Sequence, residues 1–151
     1  MAKPNFFLIA GGVFSGLISL LHVILALNPA LYLYIGPDQA SALSQLAVQG
    51  SSLTTIVTFA LALIFAIWAI YAFSGAGLIR RLPLLRLALI AIGVIYILRS
   101  LFLPTEIRMV LNEGYAFRFV IFSAISLIAG LLYLSGVLML RATSKRSQQT
   151  R

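Results

Sequence analysis

The chain has 151 residues, 62% of them hydrophobic and 9% charged, with a mean hydropathy of +1.08 and a net charge of +8. Soluble domains are about 45–50% apolar and roughly 25% charged, so this composition excludes an ordinary water-soluble globule and belongs in a bilayer. The lack of cysteine excludes disulfides, thiolate metal sites and redox thiols.

Four apolar blocks are long enough to cross a membrane, which takes about 20 consecutive apolar residues. The first predicted span covers residues 6–27 and closes at Asn28-Pro29. It is too long for the apolar core of a signal peptide and no small-residue cleavage site follows, so it reads as a retained span. Gly12 and Gly16 within it, with Ser15 and Ser19, form a strip of small residues suited to close helix contact. Such a strip serves either packing within the same bundle, the favoured reading, or a homodimer.

A first loop follows, opening with Leu31-Tyr32-Leu33-Tyr34-Ile35, aromatic and apolar residues suited to the membrane interface. Gly36-Pro37 turns the chain, and Pro37-Asp38 reads as the start of a short helix with Leu43, Leu46 and Ala47 on one apolar face, stopping near Gly50. Span two is predicted over residues 53–73, with Thr54, Thr55 and Thr58 near one end and Trp68 and Tyr71 near the other as interface anchors. Ser74-Gly75-Ala76-Gly77, then Arg80-Arg81 and Pro83, predict a tight turn.

Span three is expected over residues 84–103 and span four over residues 117–140, the latter carrying a second small-residue pair, Ser126 and Gly130. Between them Pro104-Thr105 predicts a second short helix, with Thr105 as candidate N-cap and Gly114 as its stop. The expected fold is therefore all-α: a single up-down bundle of four transmembrane helices over residues 1–140, with two short amphipathic outer helices and a polar, disordered basic tail over residues 141–151.

Charge sets the expected orientation. Lys3, Arg80, Arg81, Arg86, Arg141, Lys145, Arg146 and Arg151 fall on one side, with no acid among them. Arg99, Arg108 and Arg118 fall on the other, balanced by Asp38, Glu106 and Glu113. The positive-inside rule then places both termini in the cytoplasm, and a bacterial inner membrane is the expected location. The same placement accounts for the basic charge without nucleic acid, because those cations lie beside the anionic inner leaflet.

Depth arithmetic singles out the outer half. Arg99 lies 16 residues beyond Pro83 and His22 lies 16 residues beyond Phe6, so each sits about 24 Å along its helix. Arg118 begins span four from the same side, and Tyr96 lies one turn below Arg99. His22, Tyr96, Arg99 and Arg118 can thus converge with Thr54 and Thr58, with Asp38, Glu106 and Glu113 above them. Ionisable groups at membrane depth are costly unless paired, and they mark a ligand-site hypothesis. Arg99 and Arg118 serve either a ligand or a structural pairing with Glu106 and Glu113, and His22 either packs or carries protons. One histidine and three acids offer no metal site of familiar spacing, no catalytic residues stand out and no cofactor is expected.

The plan, with Leu21-His22 and Leu98-Arg99 near the tops of spans one and three, resembles DoxX-like and related uncharacterised four-helix inner-membrane families of bacteria. It is also similar to the emopamil-binding (EXPERA) fold, a family that holds sterol-like ligands within a small bundle and keeps acidic residues within its helices, whereas the predicted spans of this chain hold none. From the residues themselves, the leading expectation is an outward-facing polar pocket for a lipid headgroup or small amphiphile. The alternatives are an accessory subunit of a larger membrane complex and a small enzyme or proton-coupled transporter that uses His22.

Overall fold

The computed structural model describes residues 4–35, 45, 46 and 49–149. Among them the regular structure is entirely helical. Helix α1 spans Phe6–Leu27, and a 3-10 turn at Pro29–Leu31 leads into the one-turn α2, Tyr32–Ile35. Helix α3 spans Ser52–Gly75, α4 Leu85–Ser100, α5 Leu103–Glu113 and α6 Arg118–Gln149. Four stretches are long and apolar enough to cross a membrane: Phe6–Leu27, Ser52–Gly75, Leu85–Glu113 and Arg118–Leu140. Their outward surfaces carry large side chains such as Leu17, Ile56, Leu63, Leu87 and Leu131, each more than half exposed. A soluble monomer does not tolerate so much exposed apolar surface, whereas lipid tails solvate it and the helices satisfy their own backbone groups. The chain is an integral membrane protein.

Chain contacts divide the protein into two compact units, Met1–Phe14 with Trp68–Arg151, and Ser15–Ile67. In the first unit the packing centres on Leu8, which is fully buried. A Cβ added at Gly136 of α6 would lie 2.5 Å from Leu8 Cγ, and one added at Gly75 of α3 would lie 2.7 Å from both Leu8 Cδ1 and Leu89 Cδ1. One leucine of α1 therefore fills a hole that two glycines and Leu89 of α4 leave open. Asn5 locks the same end, since its backbone N–H donates to the Ala76 carbonyl and its side-chain amide donates to the Gly136 carbonyl at 2.8 Å.

Along α4 and α6 the approach is equally close. A Cβ on Gly130 would meet Ile97 and the Gly93 carbonyl at 3.0 Å or less, and one on Gly93 would meet Leu134 at 2.9 Å. In lipid, helix association relies on such van der Waals contact, because the tails are as apolar as leucine. Trp68, expected from sequence as an interface anchor, turns edge-on to Tyr96 with ring centroids 5.1 Å apart. Tyr96 in turn faces Tyr133, whose hydroxyl donates to the Trp68 carbonyl at 3.0 Å.

The small-residue strip of α1 is not uniform. A Cβ on Gly12 would meet Phe73 at 2.8 Å and Ala72 at 3.1 Å, whereas one on Gly16 would meet nothing within 4 Å. Gly12 thus serves contact within the chain, as the favoured sequence reading had it.

In the second unit Leu25 and Tyr32 are buried together with Leu21 and Leu31 packed around them. Ser19 donates to the Ala62 carbonyl at 2.7 Å. The Thr58 hydroxyl donates to the Thr54 carbonyl at 2.7 Å and so accepts from the Tyr32 hydroxyl. That bond pins α2 against α3.

Helix ends differ from expectation in three places. Pro104 does not separate span three from the next helix by a loop: α5 begins at Leu103, with proline in its first turn where no N–H is required. Thr105 consequently lies inside α5 rather than at its cap. Gly114 does end α5, in the left-handed conformation at φ 68°. Helix α6 runs to Gln149 instead of giving way to a disordered tail, because no glycine or proline follows Gly136 and the helix formers Leu138, Leu140, Arg141, Ala142, Lys145, Arg146, Gln148 and Gln149 make up most of the segment. The expected short helix around Asp38, Leu43 and Ala47 lies outside the described residues.

The turn between α3 and α4 is held by buried Ser74, whose hydroxyl donates to the Arg80 carbonyl at 2.9 Å and accepts from the Leu82 N–H at 3.0 Å. Leu84 closes it at φ 51°, a left-handed conformation that costs a side-chain-bearing residue about 1–2 kcal/mol. Because Leu84 is 75% exposed, Leu84→Gly removes little packing. The substitution should raise unfolding stability in detergent by roughly 0.5–1 kcal/mol after glycine's own entropy is set against the relief. A loss of stability would show that the Leu84 side chain is held by contacts rather than by the turn.

Candidate functional site

The sequence-predicted site residues fall into both compact units: His22, Thr54 and Thr58 in the second, and Tyr96, Arg99, Glu106, Glu113 and Arg118 in the first. Asp38 lies outside the described residues.

Within the first unit, a polar cluster forms where α4, α5 and α6 meet. Arg99 sits in the last turn of α4. Its Nη1 donates to the Ser123 hydroxyl of α6 at 2.8 Å and to Glu106 Oε1 of α5 at 3.3 Å. Ser123 is fully buried, and the side chains of Arg99 and Glu106 are 41% and 13% exposed. The ion pair forms because α5 starts only three residues after α4 ends, which brings its first-turn acid back over the arginine. Nη1 has two hydrogens, and these two contacts use both. The guanidinium carries five N–H donors in a planar fork, so Nη2 and Nε remain as a side-on pair. That edge matches the spacing of two phosphate or carboxylate oxygens.

Arg118 begins α6 from the same end, with its guanidinium carbon 5.1 Å from the centre of the Phe119 ring. Its Nε is buried without a hydrogen-bond partner among the described residues, as is Glu106 Oε2. Glu113 stands exposed in the last turn of α5. Helix α5 itself buries no residue. Leu103, Ile107, Val110 and Leu111 share one side of it and Arg108 and Asn112 the other, the pattern of a helix lying in a membrane interface. Tyr96, one turn below Arg99, belongs to the aromatic stack with Trp68 and Tyr133.

In the second unit the polar candidates are largely engaged by their own surroundings. His22 Nδ1 donates to the Ile18 carbonyl one turn back at 2.8 Å, and its ring packs on Phe65 with centroids 5.1 Å apart. Thr58 is occupied by Tyr32 and the Thr54 carbonyl. The Thr54 hydroxyl is buried without a hydrogen-bond partner among the described residues.

Ser123 was missed in the sequence reading although a signal was present. It lies three residues before Ser126 and seven before Gly130, the spacing of one helix face, so the small-residue stripe of α6 includes it. Tyr32 was read as an interface residue. Its bond to Thr58 had no local signal, because the two are 26 residues apart. No group of three or more potential metal-ligating side chains clusters among the described residues. No protein-family model, curated protein or solved structure matches the chain.

Proposed function

We propose that this membrane protein binds the phosphate-bearing headgroup of a lipid or of a small amphiphile, with Arg99 as the principal contact and Arg118 as the second. The observation that carries the reading is the state of Arg99. Ser123 and Glu106 hold it by a single nitrogen, the side chain is 41% exposed, and its side-on edge has no hydrogen-bond partner among the described residues. A guanidinium fixed on one edge and open on the other is already oriented for a bidentate oxyanion, so little further ordering is needed on binding. The interfacial character of α5 supports the same reading, since it keeps the cluster at headgroup depth. Charge favours a zwitterionic headgroup: the segments on this side hold Arg99, Arg108 and Arg118 against Asp38, Glu106 and Glu113. The proposal keeps the expected plan, a small bundle resembling the DoxX-like or EXPERA families, and invokes no catalytic step or cofactor.

The test compares phosphatidylcholine with diacylglycerol of the same chains, added to protein in a neutral, phosphate-free detergent. Wild type should gain thermal stability from the phospholipid beyond the gain from diacylglycerol, because a ligand stabilises the state that it binds. The double variant Arg99→Leu/Arg118→Leu should lose most of that difference. Equal differences in wild type and double variant would defeat the reading.

The orientation belongs to the same proposal. With eight cations and no acid on one side, both termini should face the cytoplasm of a bacterial inner membrane. A reporter that works only in the cytoplasm should be active after Arg151 and silent when inserted at Gln45; the opposite pattern would reverse the topology.

A further inference from the structure

A second patch lies on the turn between α3 and α4. Arg80, Arg81 and Arg86 are all exposed there, and none makes a hydrogen bond or ion pair with another side chain of the described residues. No acidic residue occurs in the sequence between Asp38 and Glu106, so the turn has no carboxylate of its own. The backbone that presents the arginines is constrained by the two bonds of buried Ser74, to the Arg80 carbonyl and from the Leu82 N–H. Of the three, Arg86 lines a shallow, open groove of about 460 Å³ together with Leu84, Leu85, Leu87 and Ile90. Leu84 and Leu87 are 75% and 63% exposed.

Topology alone asks for cations on this side but not for their arrangement. The turn sets guanidinium groups next to an apolar furrow at the end of a membrane-spanning helix, the combination that suits a charged headgroup and the first part of its acyl chain. We infer that Arg80, Arg81 and Arg86, with the Leu84–Leu87 furrow, form a binding site for a phospholipid of net negative charge. This site is separate from the Arg99 cluster in both position and chemistry. The Arg99 end is formally balanced and suits a zwitterion, whereas three cations without an acid require an anion. The occupant is a lipid rather than an acidic protein segment, because the lining leucines are exposed on a helix apolar enough to cross a membrane, where lipid tails are the solvent.

The site is tested in detergent with phosphatidylglycerol against phosphatidylcholine, reading the binding of each lipid by native mass spectrometry. Subtracting the phosphatidylcholine result removes any contribution of the Arg99 cluster. Wild type should prefer the anionic lipid by roughly a hundredfold, given the usual contribution of each interfacial cation. The variant Arg80→Gln/Arg81→Gln/Arg86→Gln should lose nearly all of that preference. It keeps five cations on its side, enough to preserve topology by the positive-inside rule. A matched variant, Lys145→Gln/Arg146→Gln/Arg151→Gln, removes the same charge from elsewhere and should retain the preference. An unchanged preference in the turn variant, or an equal loss in the tail variant, would overturn the proposal and leave only bulk charge. Should the turn variant fail to fold, Leu87→Glu in the furrow gives the second reading: it should abolish the preference, and a wild-type preference there would also overturn the site.

Discussion

Gly136→Ala should lower unfolding stability by roughly 2 kcal/mol, the usual scale for an overpacked contact. The added Cβ would sit 2.5 Å from Leu8 Cγ and 2.6 Å from Cδ2, and Leu8 is already confined by Gly75 and Leu89. Leu8→Ala alone should cost about 2–5 kcal/mol through the cavity that it opens. Together the two changes should cost less than their sum, because the shortened side chain makes room for the new methyl group. A coupling of roughly 1–2 kcal/mol in that direction is expected for residues in direct contact. Strict additivity would mean that Leu8 does not occupy this hole. Gly16→Ala provides the contrast. Nothing lies within 4 Å of its added Cβ, so the substitution should be neutral or gain up to about 1 kcal/mol of helix propensity. If Gly16→Ala proved as damaging as Gly12→Ala, the strip would be an interface with a second copy of the chain. Denaturation in mild detergent, followed by tryptophan fluorescence of Trp68, measures all of these variants.

Arg99→Leu should cost roughly 1–3 kcal/mol, the scale for leaving buried polar groups unsatisfied. The loss falls on two groups: Ser123 Oγ, fully buried, and Glu106 Oε1, on a side chain only 13% exposed. The upper end of the range is not expected, because Arg99 itself is 41% exposed and water already screens part of the ion pair. Glu106→Gln in the Arg99→Leu background should recover some of the loss, since an unpaired neutral amide is less costly than an unpaired carboxylate. In the wild-type background the same change should destabilise. The sign reversal is the measurement that matters. A Glu106→Gln effect of equal size and sign in both backgrounds would dissolve the Arg99–Glu106 link and the fixed orientation of the guanidinium with it.

Within the first compact unit the polar chemistry gathers around Arg99. Arg99 and Glu106 meet, as charge and spacing suggest, and Ser123 joins them. Tyr96 is drawn into the aromatic stack, since its ring lies between Trp68 and Tyr133. His22, the residue on which a proton-transfer mechanism would rest, donates to the Ile18 carbonyl and packs on Phe65, an arrangement that suffices to account for it structurally. The Arg80–Arg86 turn, first read only as a topological marker, holds a furrow beside its cations.

Everything that depends on local pattern and on the solvent is legible in the chain itself. Runs of about 20 apolar residues located all four spans, because a bilayer admits little else, and Asn28-Pro29 and Gly114 ended helices where backbone chemistry requires it. The use of residues whose partners are distant in sequence emerges only from the fold. Gly12 and Gly16 look alike in the chain, yet one is filled against Phe73 and the other is open. Tyr32 and Thr58 lie 26 residues apart, and Asn5 and Gly136 131 apart, so no periodicity could have paired them. The left-handed Leu84 was equally hidden. A leucine does not choose that conformation for itself; it adopts it because Ser74 fastens the turn from the preceding helix and α4 must still start beyond Pro83. Apolar pattern reports what the membrane demands of each helix, while contacts between helices are set by shape, which a one-dimensional pattern does not carry.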